Sequence, residues 1–430
     1  MTAAEPPATL KVYRAAIGLC APLAGLALRL RLSRGKEDEA RLCERRGWAS
    51  LPRPQGEVIW VHGASVGEML SVLPLIEGIG ARWPQTAILL TSGTVTSARL
   101  ATERLPAGVL HQFVPLDVPA FLERFLDHWR PRLAIFAESE LWPNTIMALK
   151  ARGIRSALVN GRLSARSAAR WRRLPATIAW LIGAFEICLA QGPGDGERLK
   201  SLGGHHVKVA GNLKLDVPAP GANAENLKAL QASIGGRQVL IAASTHGGEE
   251  TMLAEAHRQI SARFPRLLTI IAPRHPERGA GIAEDLAGLG LRVKLRSKGQ
   301  LPGKTTDIYI ADTLGELGLI YRCGMVTFMG GSLIPHGGQN PIEPAKLSAA
   351  ILHGPQVFNF AEIYQRLDAA GGAFAVASAA QLAQTATDLL DNPDAIARAA
   401  AQARLAVEEG GGALARTLDA LAPLLAPERA

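Results

Sequence analysis

The residues able to do chemistry gather in short polar runs, each placed after an apolar stretch. The longest is Gly330-Gly331-Ser332-Leu333-Ile334-Pro335-His336-Gly337-Gly338-Gln339-Asn340-Pro341-Ile342-Glu343-Pro344, after a strand expected over 325–329. Paired glycines admit a ligand close to the backbone. The Asn-Pro-x-Glu end predicts a helix start, with Asn340 as N-cap, Pro341 at the first helical position and Glu343 reaching back. Such a start offers unpaired N–H groups to an anion, so the run reads as a nucleotide-phosphate site. A plain strand-to-helix turn with a good cap fits the same residues. Ser244-Thr245-His246 before Glu249-Glu250, Pro273-Arg274-His275-Pro276-Glu277-Arg278, and Asp312-Thr313-Leu314-Gly315-Glu316 repeat the arrangement. Hydroxyls and an arginine fork suit phosphate oxygens. Each run alone is an ordinary cap; together they point to one shared nucleotide.

The first half of the chain offers carboxylates instead. Gly63-Ala64-Ser65-Val66-Gly67 fits the GxSxG pattern of a nucleophile elbow between a strand and a helix, which keeps a serine hydrolase using Ser65 open. The elbow here follows the first strand of the chain, whereas that fold normally builds several strands first. Glu68, next in line, has the place of a general base at a strand's carboxyl end, or of an acid favoured by the helix dipole. Glu138-Ser139-Glu140-Leu141-Trp142-Pro143-Asn144 sets two acids just beyond another strand. On an extended segment, acids at i and i+2 point the same way, and Pro143 opens a helix that one of them may cap.

The elements that must position these residues alternate. Strands are expected over 57–62, 87–91, 111–115, 133–137, 154–159 and 187–190, with helices over 66–82, near 97 and over 119–129. After a Pro- and Asn-containing break, strands follow over 239–243, 267–272, 307–311 and 325–329, with helices over 249–263, 279–289 and 314–321 and another from Pro341. Strands separated by helical patterns imply parallel βαβ units, hence an α/β chain. The expected division is an N-terminal anchor with a basic flank over 1–50, a first Rossmann-like domain over 51–205, a linker over 206–222 and a second over 223–430. Two doubly wound domains facing a central cleft would hold their ligand at the carboxyl ends of the strands.

Composition narrows the partners. A chain of 430 residues exceeds one ordinary core, and its 48% hydrophobic content supports two. The net charge of +9 favours anionic partners, but the basic residues are scattered with no aromatic-interleaved stripe, which argues against nucleic acid. Four distant cysteines without a CxxC indicate neither a disulfide framework nor a zinc site, and fit a reduced cytoplasmic setting. Gly303-Lys304-Thr305 lacks the upstream glycine of a P-loop, and no GxGxxG, HExxH or Asp-x-Asp is present, so no metal and no cofactor are expected. Residues 15–28 are apolar, flanked by Lys11, Arg14, Arg29, Arg31, Arg34 and Lys36. The stretch is shorter than the roughly 20 residues a span needs, so a membrane-surface or shallowly inserted helix on anionic headgroups is expected; a signal peptide or a buried first helix also fits.

The runs VHGASVGE, ESELWPN, GRLSARS, GNLKLD, STHGGEE, PRHPER, DTLGEL and GGSLIPHGGQNPIEPA, from about Trp60 to Tyr364, resemble in order the motifs of the 3-deoxy-D-manno-octulosonic acid (Kdo) transferases. The resemblance implies a GT-B glycosyltransferase, inverting and metal-independent. It would move Kdo from CMP-Kdo to the lipid A precursor (lipid IVA) in lipopolysaccharide inner-core synthesis, at the cytoplasmic face of the inner membrane. It further implies Glu68 as general base, Glu138 and Lys214 as transition-state stabilisers, and CMP contacts at Pro273, Arg274, Leu314, Gly315, Glu316, Asn340, Pro341, Ile342 and Glu343. Leu314 stands where a Met is expected, Gln339 where a His is expected, and His62-Gly63-Ala64 replaces a less glycine-rich run. A non-catalytic nucleotide-binding protein of the membrane surface is the competing class beside the hydrolase.

Overall fold

The computed structural model describes residues 5–426; the first and last four residues of the expected anchor and second domain lie outside the described residues. The strands read as near-continuous apolar runs, as parallel strands covered on both faces must. In the first sheet these are β1 (Val58–His62), β2 (Ala87–Ser92), β3 (Leu110–Phe113), β4 (Leu133–Ala137), β5 (Arg155–Gly161), β6 (Ile187–Ala190) and β7 (Val207–Val209). They pair in the order β3-β2-β1-β4-β5-β6-β7, with every ladder parallel. One face packs Trp60, Phe125, Trp129 and Phe136 together; the other packs Val61, Ile76, Ile79 and Ile135.

The second sheet contains β8 (Val239–Thr245), β9 (Leu268–Pro273), β10 (Val293–Leu295), β11 (Ile308–Ile310), β12 (Val326–Met329), β13 (Ala350–His353) and β14 (Ala373–Ala375). Their order is β10-β11-β9-β8-β12-β13-β14, again all parallel. Its core joins Leu240, Leu253, Ile271 and Phe328. The doubly wound α/β reading therefore holds for both halves.

The division of the chain differs from the expected one. Described residues up to Val217 and from Gly411 onward form one unit, and Pro218–Gly410 form the other. Residues 206–217 are not linker, because β7 pairs with β6 and the turn Leu213–Leu215 packs in the first core. Residues beyond Gly410 leave the second unit because the helix Ala413–Leu425 is built into the first. Its Leu418, Leu421 and Leu425 join Ile76 and Ile79, and Asp216 accepts from the N–H groups of Gly412 and Leu414 at 2.7 and 2.6 Å. Arg132 and Arg155 donate to the carbonyls of Leu424, Leu425 and Ala426 at its other end.

The N-terminal stretch forms two helices, Ala8–Leu19 and Ala24–Leu32, joined through Ala21–Leu23. Pro22 lies at the break, and the pair bends by 51°. Among the described residues no single helix is long and apolar enough to cross a membrane. Leu10 and Leu28 are buried, Leu10 beside Phe125, while Val12, Leu19, Leu23, Leu26 and Leu30 stay exposed.

Candidate active site

In open parallel sheets ligands sit beyond the carboxyl ends of the strands, where the strand order reverses. In the first unit that point lies between β1 and β4, the two strands whose ends lead to Glu68 and Glu138. The helix Val66–Arg82 begins with a reciprocal capping box. The Ser65 hydroxyl accepts from the Glu68 N–H at 3.4 Å, and the Glu68 carboxylate accepts from the Ser65 N–H at 2.8 Å. Burial pushes the Glu68 carboxyl above its ordinary value. The nearby Glu140 and, less strongly, Glu138 push the same way, against the Ser65 N–H and His62. One side chain therefore both caps the helix and carries a carboxyl held above its ordinary value. Ser65 itself lies in extended backbone, φ −107° and ψ 167°, rather than in the strained turn a nucleophile elbow needs, and its hydroxyl serves the helix. That geometry removes the hydrolase reading.

Glu138 is not on an extended segment. Its φ of 57° places it in the left-handed region, where a non-glycine residue is strained, and its N–H is held by the Val159 carbonyl at 3.0 Å. The carboxylate lies 2.5 Å from Lys214 Nζ. Lys214 rides on the turn Leu213–Leu215, which is fixed from two sides. Asn212 Oδ1 accepts from the Lys214 N–H at 3.0 Å, and Asn160 Oδ1 accepts from the Leu213 N–H at 2.9 Å. Glu140 turns to His62 Nε2 at 3.5 Å and accepts from the Trp142 indole. Neither acid caps the helix that Pro143 opens. Asp117 does so from another loop, accepting from Asn144 and Thr145 N–H groups at 3.0 and 2.8 Å.

In the second unit the strand order reverses between β8 and β12, and the two richest polar runs leave the ends of those strands. Ser244 has a φ of 56° beside a register shift between Ala243 and Thr245. Gly330 presses on this bend so closely that a Cβ there would lie 2.4 Å from the Ser244 carbonyl oxygen, which only glycine permits. The amides of the glycine run are not free for phosphate. Gly331, Ser332 and Leu333 N–H groups donate to the Glu249 carboxylate at 2.7, 3.1 and 3.1 Å, and the His246 N–H adds a fourth bond at 2.9 Å. Glu249 is wholly buried, so the loop is shaped by an internal anion. The Gln339 amide donates to His246 Nε2 at 3.0 Å, and His246 stacks on His336 with ring centroids 3.8 Å apart. Burial, then His336, His275 and Arg274, hold the His246 imidazole down at about 4.

The helix expected from Pro341 begins one residue later, as Ile342–Lys346. Asn340 Oδ1 accepts from the Ile342 N–H at 3.1 Å, and Glu343 meets the Asn340 side chain at 3.4 Å instead of reaching back to a backbone N–H. Burial raises the Glu343 carboxyl. Pro273 closes β9, and Arg274 is exposed. The helix expected over 314–321 spans Leu317–Tyr321, because Gly315, at φ 78°, makes a turn first. Leu314 is exposed, whereas Glu316 is engaged by both sides of the Arg296 guanidinium and by the Thr313 hydroxyl, which lower its carboxyl below the ordinary value. Among the nine residues expected to contact CMP, Arg274, Leu314 and Gly315 are the exposed ones.

A family model described as 3-deoxy-D-manno-octulosonic-acid transferase (kdotransferase) matches residues 40–217. A 3-deoxy-D-manno-octulosonic acid transferase from Haemophilus influenzae is 34% identical over 420 residues, covering 96% of this chain and 98% of that one. The chain belongs to this family. A second Kdo transferase, from Bordetella pertussis, is 35% identical over 387 residues, with 87% and 89% covered. A solved glycosyltransferase from Rickettsia africae shares the fold, with a TM-score of 0.59 at 13% identity, covering 86% of this chain and 99% of that one.

As a Kdo transferase the chain is a glycosyltransferase of the GT-B type, and the order of its motifs is explained. The structure gathers Glu68, Glu138, Glu140 and Lys214 at one end of the first sheet. In the second unit it places Arg274, the 314–316 turn and the 340–343 turn at strand ends. Sequence reasoning missed the supporting residues. Glu249 lay within a run already singled out, but nothing local shows that its carboxylate serves a loop more than 80 residues away. Asp117, Asn160 and Arg296 act over shorter but still non-local separations of 28, 53 and 20 residues.

Proposed function

We propose that this Kdo transferase moves Kdo from CMP-Kdo to the lipid A precursor, lipid IVA, by a single inverting displacement that needs no metal, at the cytoplasmic face of the inner membrane. The observation that carries the reading is Glu68: a carboxyl raised by burial and by two neighbouring acids, at the switch point of the first sheet. In this reading Glu68 takes the proton from an acceptor hydroxyl, whose oxygen attacks the anomeric carbon of Kdo. The bond from that carbon to the CMP phosphate oxygen breaks, and the electron pair leaves on the phosphate. Glu138 keeps Lys214 in place as a positive charge for the developing anion, and Arg274 neutralises the departing phosphate. Pro273, Leu314, Gly315 and the 340–343 turn line the nucleotide. Glu316 acts through its backbone, since its carboxylate is committed to Arg296.

The exposed apolar residues of the N-terminal helix pair and the cationic surface support docking on an anionic bilayer, where a phosphorylated lipid acceptor resides. The test is incubation of purified protein with freshly made CMP-Kdo and lipid IVA in the presence of EDTA, with lipid products resolved by mass. Added Kdo is the expected result. A requirement for divalent cation rejects the metal-independent route, and loss of CMP-Kdo without lipid product rejects the acceptor.

A further inference from the structure

The bend of the N-terminal helix pair closes over a cavity of about 340 Å³ that shares no residue with the transfer site. The volume falls within the range of small-ligand sites, roughly 300–1,000 Å³. Gly25, Arg46, Trp48, Phe121 and Arg124 line it. The Arg124 guanidinium lies over both the Trp48 and Phe121 rings, 5.0 and 5.1 Å from their centroids, and one of its amino groups donates to the Arg46 carbonyl at 2.5 Å. Arg46 packs so tightly on Gly25 that a Cβ there would sit 2.8 Å from its Nη2. The Arg124 guanidinium is therefore held in place by aromatic faces and a backbone carbonyl, and that of Arg46 lies against Gly25.

Charge pairing separates these two cavity arginines from four of their neighbours, while Arg29 and Arg34, which do not line the cavity, also form no ion pair among the described residues. Arg14, Arg31, Arg41 and Arg45 in the same region all meet a carboxylate, at 3.1, 2.6, 2.9 and 3.3 Å. Among the described residues neither Arg46 nor Arg124 forms an ion pair. Two guanidinium groups on one cavity, without a carboxylate of their own, suit a phosphate group. Beside them Leu19, Leu23 and Leu26 are 82%, 63% and 59% exposed, and Trp48 is 58% exposed. Exposed leucines next to a phosphate receptor match a molecule that is apolar beyond its phosphate, and a half-exposed tryptophan suits the headgroup level of a bilayer.

We propose that this cavity is a headgroup site for an anionic phospholipid, with Arg46 and Arg124 gripping the phosphodiester while Leu19, Leu23 and Leu26 enter the acyl region. The site rests on the membrane reading above and gives it a defined lipid contact.

The test uses the full chain and sedimentation with vesicles of phosphatidylcholine alone or doped with phosphatidylglycerol. R46K/R124K keeps the charge and loses the forks; R29Q/R34Q removes two charges away from the cavity. Wild type is expected to sediment with the doped vesicles only. R46K/R124K should weaken this about tenfold at unchanged thermal midpoint. R29Q/R34Q should lose only the general surface attraction, roughly fivefold per charge, and should keep its preference for the headgroup. That preference is read as competition by soluble glycerophosphoglycerol but not by inorganic phosphate.

Wild-type-like sedimentation of R46K/R124K overturns the site while leaving the membrane reading intact. Equal displacement by inorganic phosphate makes it a free-anion site and overturns the lipid assignment. Failure of wild type to sediment with any anionic vesicle rejects both.

Discussion

Glu68 joins a structural role, the helix cap, to the catalytic one proposed for it. Its bond to the Ser65 N–H stabilises the helix start and the charged carboxylate, while burial and the charge of Glu140 oppose ionisation. A base must be ionised, so activity should fall with decreasing pH at a higher value than an ordinary glutamate dictates. Removing the Glu140 charge should move that acid limb downward. The pH profile of kcat/KM for Glu140→Gln against wild type measures this, and an unmoved limb would detach Glu140 from the base. Glu249 is a different case. Four N–H groups converge on its buried carboxylate, so Glu249→Ala leaves them without a partner. We expect a loss of roughly 3 kcal/mol or more in denaturant unfolding of the second unit, together with weaker CMP binding. Retained stability would mean that water replaces the carboxylate at no cost.

At the scale of elements, the two sheets place their reactive residues through strand ends and short turns. The helices Val66–Arg82, Pro119–Trp129 and Glu249–Arg263 match their sequence patterns, because capping signals and apolar periodicity are local. The short turns were less legible. The helix near Asn340 begins beside a contact no local pattern shows, the Tyr364 hydroxyl donating to the Gln339 carbonyl at 2.8 Å, and the Gly315 turn shortens the next helix. The i, i+2 rule failed at Glu138 because β5 holds its backbone in a left-handed turn.

Buried imidazoles add a pH signature to these elements. Burial holds His111 down to about 3 and His257 to about 4, against an ordinary value of 6.5. Between pH 6.5 and 4 the unfolded chain takes up protons that the folded chain refuses, so stability is complete above 6.5 and declines as pH falls. The thermal midpoint should drop over that window, and His257→Gln should flatten the drop. A midpoint that stays constant to pH 4 contradicts the assignment.

For the whole molecule, the sequence pattern distinguished two α/β halves but misplaced the last segment. The helix Ala413–Leu425 carries an amphipathic signal that fits any α/β face. Its partners Ile76, Ile79 and Asp216 lie about 200 or more residues away, invisible to local reading. The consequence is testable by truncation after Gly410. The second unit keeps its own core and should still bind CMP. The first loses the packing of Leu418, Leu421 and Leu425, worth roughly 1.5–3 kcal/mol per side chain, and should lose its cooperative unfolding transition. Retention of two transitions in calorimetry would contradict this division.

The central claim is that Glu68 is the proton acceptor for transfer of Kdo. The most direct measurement compares Glu68→Gln with wild type in single-turnover transfer from CMP-Kdo to lipid IVA, alongside CMP affinity by calorimetry. Gln retains an oxygen for the Ser65 N–H and so preserves the helix start. The account predicts transfer reduced by about 10²–10⁴-fold with CMP affinity unchanged. Transfer at the wild-type rate with the fold intact would contradict it.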